Sequence, residues 1–154
     1  TAFPTNAGAG SIEAFESVAP LVVWKKELLT DSGGAGKQRG GLGQECIVEC
    51  RSNQSMQLSL LSDRHQFPAD GMLGGRSGGR TDIAISGRDA PHPKSRTRIE
   101  PGERLTMRYA GGGGYGDPRD RDRQQVLADV DDGYVSKASA VADYGLDPQM
   151  VEPS

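Results

Sequence analysis

Lys37 and Arg39 sit inside one glycine tract of this chain, and Tyr115 and Asp117 sit inside a second. The first tract runs from Asp31 through Gly33-Gly34-Ala35-Gly36-Lys37-Gln38-Arg39-Gly40-Gly41 to Gly43. The second runs Gly111-Gly112-Gly113-Gly114-Tyr115-Gly116-Asp117-Pro118. A lysine among glycines suggests phosphate binding, because a glycine-rich loop can turn backbone N–H groups onto an anion while the lysine supplies charge. The spacing argues against it here. Asp31 stands where a phosphate loop needs its first glycine, and Gln38 stands where it needs a hydroxyl. Both departures remove chemistry. Gly111, Gly113 and Gly116 formally fit the dinucleotide fingerprint, but a run of four glycines meets that pattern cheaply. Asp117-Pro118 also delays the helix that should receive a pyrophosphate. The leading reading is structural. The tracts let backbones approach one another, with Lys37, Arg39 and Asp117 as ion-pairing or hydrogen-bonding struts. The alternative is that Lys37, Arg39, Tyr115 and Asp117 line a catalytic chamber. In that case Lys37→Ala should cut turnover before it weakens assembly.

Other catalytic patterns are thin. There is no Gly-x-Ser-x-Gly elbow and no His-Glu-x-x-His. Cys46 and Cys50 fall on one face of an expected strand, about 13 Å apart, too far for a disulfide. They are expected to be reduced, apolar thiols, in keeping with a cytoplasmic protein. His65 and His92 stand in no ligand-spaced motif, and no catalytic, cofactor or metal residue is assigned to the chain. The interleaved acids and arginines from Asp117 to Asp129 read as a solvated helix start, and the basic stretch 88–98 as a solvated loop.

The elements that must carry the tracts are mostly strands. Ser11 caps a short helix ending before Pro20. Strands are expected at 21–28, 44–51, 56–61, 82–86 and 103–110, with Met56, Leu58 and Leu60 alternating on one face. Residues 1–10 and 87–98 read as extended. A helix is expected over 119–131, with Val126, Leu127 and Val130 as its stripe and Gly133 as its stop; Ser136 caps a second, ended by Gly145. Residues 146–154 read as a tail. The expected fold is mainly β, with extended glycine-rich segments of polyproline-II type and a short C-terminal helix pair. One domain, 1–154, is expected.

Composition sets the bounds. Of 154 residues, 34% are hydrophobic and 22 are glycine, so the core is lean and burial against a partner is expected. A net charge of −3 gives no reason to expect nucleic acid or a membrane surface, no apolar run is long enough to span a bilayer, and no signal-peptide pattern is visible.

The order and content of the two tracts resemble the C-terminal part of the hydantoinase B/oxoprolinase family. Supporting matches are Trp24–Leu28, Asp63-Arg64, the glycines from Gly71 to Gly79, Pro101-Gly102, Arg119-Asp120-Arg121, Val126, Asp129-Val130, Gly133, Val135-Ser136, Ala140 and Tyr144-Gly145. Family polypeptides are much longer, and the resemblance places their metal- and substrate-binding region outside this chain. It implies a small, mainly structural subunit of an ATP-dependent ketone carboxylase of acetophenone carboxylase type, completing a larger hydantoinase B-like subunit. The alternatives are the C-terminal piece of an ATP-dependent hydantoinase or 5-oxoprolinase, and a stand-alone binding or scaffold module. The implied partners are that larger subunit and hydantoinase A-like ATP-binding subunits. ATP and a divalent metal would sit in those partners, with no cofactor on this chain.

Overall fold

The computed structural model describes residues 10–151. Strand β1 (Leu21–Leu28) pairs antiparallel with β2 (Gln44–Cys50). A second layer is built from β3 (Met56–Leu61) and β5 (Lys94–Ile99), again antiparallel. With β4 (Asp82–Ile85) and β6 (Arg104–Arg108), the larger sheet has the order β1-β2-β6-β4. Alternation explains how the layers meet. Cys50, Ile83, Ile85 and Leu105 point from the four-stranded sheet onto Leu60 and Ile99 of the ribbon, and all six are buried. Helix α1 (Ile12–Val18) packs beside the β1 edge, capped by the Ser11 hydroxyl, with Glu16 accepting from the Val23 N–H at 2.7 Å.

The opposite face of the larger sheet carries charge. Glu45 accepts from Lys25 and Arg108 at 2.6 and 2.7 Å, which holds its carboxyl below the usual range. Glu49 accepts from Arg104 at 3.0 Å and from the Trp24 indole at 2.8 Å, with the same consequence. The Arg104 guanidinium lies 4.7 Å over the Trp24 ring. Trp24 sits at a bulge between Val23 and Lys25, which aims the indole at Glu49.

The C-terminal helices form a second core. Helix α2 (Arg123–Asp131), α3 (Lys137–Ala142) and α4 (Pro148–Val151) gather Val126, Val135, Ala140, Tyr144, Leu146 and Val151, and Ala35 of the first glycine tract joins them.

Three sequence expectations change. Lys94–Ile99 is a strand: its arginines and lysine face solvent while Ser95, Thr97 and Ile99 face the layer beneath. Basic residues and two nearby prolines masked that alternation. The long helix begins at Arg123, because Pro118–Asp120 forms a 3-10 turn and Asp122 caps α2 through the Gln125 N–H. The supposed tail enters the core, with Leu146 and Val151 buried after the Gly145 turn. The Ser11 and Ser136 caps and the Gly133 stop are found where expected. Residues 1–9 and 152–154 of the expected N-terminal stretch and tail lie outside the described residues.

Candidate functional site

The glycine tracts do not form loops around a vacant anion site; they pack against each other and against residues 69–79. Gly34 donates to the Gly112 carbonyl at 2.8 Å, Gly112 to Gly41 at 2.8 Å, and Gly114 to Arg76 at 2.9 Å. Arg76 in turn donates to Ala35 at 2.7 Å, and Met72 donates to Gly114 at 2.9 Å. Side chains have no room between these backbones. A Cβ on Gly78 would lie 2.5 Å from the carbonyl oxygens of both Gly111 and Gly112, and one on Gly36 would lie 2.6 Å from the Tyr115 nitrogen. The N–H groups of Gly112, Gly114 and Gly116 are spent on other backbones, so they are not free to cradle phosphate.

Arg39 leaves this braid and reaches Asp129 on α2 with two contacts, Nε at 3.1 Å and Nη2 at 3.2 Å. Its Nη1 donates to the Gly40 carbonyl at 3.0 Å, and its guanidinium lies 5.5 Å over the Tyr134 ring. Arg121 supplies a second cation to Asp129, at 2.9 Å, and donates to the Lys37 carbonyl at 3.3 Å. The side chains of Arg39, Arg121 and Asp129 are 16%, 10% and 11% exposed. Two guanidinium groups therefore share one carboxylate in a nearly dry setting. The Arg121 Nε is buried with no hydrogen-bond partner among the described residues. Tyr144 is buried beside this group, and burial raises its phenol pKa while Arg121 and Arg39 pull the other way. Asp31 adds a further tie, accepting from the Ser136 N–H at 2.8 Å.

The four residues singled out from the sequence thus separate. Arg39 is a buried tie between the first tract and α2. Lys37 is exposed, its N–H donating to the Gly116 carbonyl at 3.2 Å. Tyr115 is half exposed and exchanges backbone hydrogen bonds with Gln38, at 2.9 Å in each direction. Asp117 accepts from the Arg119 N–H at 2.9 Å and so starts the 3-10 turn. Lys37, Tyr115 and Asp117 share the outer end of the braid, but no hydrogen bond or ion pair joins their side chains among the described residues. Sequence reasoning missed Arg121 and Asp129 by reading their segment as solvated. A signal was there: Asp129 is three residues after Val126, on the face of α2 that carries the apolar stripe.

Cys50 is buried in the sheet core, and Cys46, half-buried, has its thiol pKa raised by burial. No group of three or more His, Cys, Asp or Glu side chains placed to hold a metal ion occurs among the described residues. No helix among the described residues is long and apolar enough to cross a membrane.

The family model of hydantoinase B/oxoprolinase matches residues 1–118. The chain belongs to that family. Caprolactamase subunit beta of Pseudomonas jessenii is 35% identical over 147 residues, covering 90% of this chain and 25% of its own. The crystal structure of the ATP-dependent caprolactamase of that organism superposes with a TM-score of 0.75 at 30% identity, over 90% of this chain and 26% of the other. The acetone carboxylase alpha subunit of Xanthobacter autotrophicus is 26% identical over 174 residues, covering 89% of this chain and 22% of its own. A nucleotide-free acetone carboxylase structure shares the fold, with a TM-score of 0.66 at 24% identity. The chain therefore spans about a quarter of the length of these relatives.

Proposed function

We propose that this chain supplies one structural quarter of the hydantoinase B-type component of an ATP-dependent enzyme that activates an amide or carbonyl oxygen. The observation that carries this is a mismatch between braid and surface. The braid is closed by many backbone hydrogen bonds, yet its outer end leaves Met72, Leu73 and Tyr115 64%, 73% and 50% exposed, with Phe67 at 80% in the preceding loop. Leu73 holds φ at +50° in the turn closed by the Gly75 N–H on the Met72 carbonyl at 3.0 Å, and that turn pushes its side chain outward. Such a surface suits coverage by the three quarters of the relatives' length that have no counterpart here. On this reading the extended glycine segments, in a polyproline-II-like packing, carry the fold of the larger component. Lys37 and Tyr115 face the joint, and the chain contributes framework while chemistry resides in its partners. ATP and a divalent metal belong to those partners, a larger hydantoinase B-type portion and a hydantoinase A-type ATP-binding subunit.

The stronger likeness to a caprolactamase favours opening of a cyclic amide. Phosphorylating the amide oxygen converts a poor electrophile into one that water can attack. A second reading, a ketone carboxylase of the acetophenone type, draws on the acetone carboxylase likeness. The reconstituted assembly distinguishes them. ATP-dependent ring opening without bicarbonate supports the first reading, and bicarbonate-dependent consumption of a ketone supports the second. An assembly that turns over neither substrate class with ATP defeats both.

A further inference from the structure

Beside the buried Arg39–Asp129–Arg121 group lies a cavity of about 300 Å³ between the start of α2 and the turn before α4. Arg119, Arg121 and Arg123 line it, with Val126, Tyr144 and Leu146, and no acidic residue is among its lining. We propose that this cavity binds a small organic anion, a carboxylate or phosphate monoester joined to a short apolar body. This assignment stands on residues of this chain and does not depend on the enzymatic reading above.

Five observations support it. The exposed side chains of Arg119 and Arg123 form no ion pair or hydrogen bond among the described residues. The nearby carboxylates of Asp117 and Asp122 are turned onto the backbone N–H groups of Arg119 and Gln125, and Asp120 forms no ion pair with either arginine. Asp129 is already shared by Arg39 and Arg121, which leaves one guanidinium charge in excess behind the cavity wall. The Tyr144 hydroxyl forms no hydrogen bond among the described residues and is not itself a buried orphan, so it can donate into the cavity it lines. Val126 and Leu146, 1% and 4% exposed, give the cavity an apolar floor. Guanidinium groups bind carboxylate and phosphate through paired N–H donors, and the volume falls at the small end of ligand pockets.

The test is calorimetric titration of the full chain, together with any subunit it retains on purification. The probes are phenyl phosphate, benzoate, inorganic phosphate and neutral benzyl alcohol. Phenyl phosphate or benzoate should bind, the tighter of the two naming the anion class, and benzyl alcohol should not. Arg119→Gln with Arg123→Gln should weaken binding by roughly tenfold or more, and Tyr144→Phe by a few-fold, with the melting temperature of the exposed double variant unchanged. Failure of both anions to bind, or binding unmoved by the double variant, would overturn the proposal. Inorganic phosphate binding as tightly as phenyl phosphate would overturn the organic ligand.

Discussion

Removing the Asp129 carboxylate should be among the most damaging single changes on a polar residue of this chain. Asp129→Ala deletes three charge-assisted contacts at 3.1, 3.2 and 2.9 Å and leaves two arginines facing each other with 16% and 10% of their side chains exposed. So little water reaches them that solvent screening recovers only a small part of the loss. Breaking a buried ionic group by removing one partner costs about 3–5 kcal/mol, most of it from stranding the remaining charge. For a chain of this size each kcal/mol moves the melting temperature by about 2–4 °C, so the loss should be roughly 6–20 °C. The cause can be isolated. Replacing the whole group, Arg39→Met with Arg121→Met and Asp129→Leu, removes the stranded charges and should cost less than Asp129→Ala alone. Thermal unfolding followed by circular dichroism measures all three chains. A cost below about 1 kcal/mol for Asp129→Ala, the value of an exposed pair, would mean that the group is not held as a buried ionic network.

Further outcomes follow from the braid and the sheet. Gly78→Ala drives a methyl into the Gly111 and Gly112 carbonyls and should abolish soluble folding, whereas Gly41→Ala, which meets nothing within 4 Å, should leave the melting temperature within a few degrees; expression and thermal unfolding of the pair decide it. Leu73→Asn eases a left-handed backbone that asparagine tolerates. It should stabilise the isolated chain by up to roughly 1 kcal/mol in urea titration while weakening its hold on the larger component. Glu45 and Glu49 have carboxyl pKa values lowered by Lys25 and Arg108 and by Arg104 and the Trp24 indole. Their stabilisation is therefore present above the unfolded carboxyl value, near 4.5, and is lost as pH falls through the lower folded values. Glu45→Gln with Glu49→Gln should flatten the stability profile below that pH; an unchanged acid limb in denaturant titrations from pH 2 to 6 would count against it.

Local chemistry made much of the fold legible. Ser11 and Ser136 announced their helices through the hydroxyl a cap requires, Gly133 and Gly145 marked helix ends by needing positive φ, and the alternation of Met56, Leu58 and Leu60 exposed one strand of the ribbon. Its partner was hidden because Lys94, Arg96 and Arg98 occupy the outward positions and only Ile99 is strongly apolar. The glycine tracts were legible as close backbone packing, but their third member, residues 69–79, was not, since nothing local encodes which distant carbonyl meets which N–H. The Arg39–Asp129–Arg121 group is of the same kind: its members lie up to 90 residues apart, and charge in a sequence looks solvated until the fold encloses it. The buried Leu146 and Val151 were lost to their polar neighbours and to a position near the end of the sequence.

On the proposed reading this chain is a framework quarter whose outer face is covered by the rest of the component. Hydrogen–deuterium exchange and native mass measurement of the chain, alone and co-expressed with the larger portion of a hydantoinase B-type component, test it most directly. Co-expression should give a one-to-one assembly in which exchange at Leu73 and Gly74, whose amides have no partner among the described residues, slows by at least tenfold, while the bonded Met72, Gly112, Gly114, Tyr115 and Gly116 amides are already protected in the chain alone. A chain that stays separate, or that assembles with exchange at Leu73 and Gly74 unchanged, rules this out.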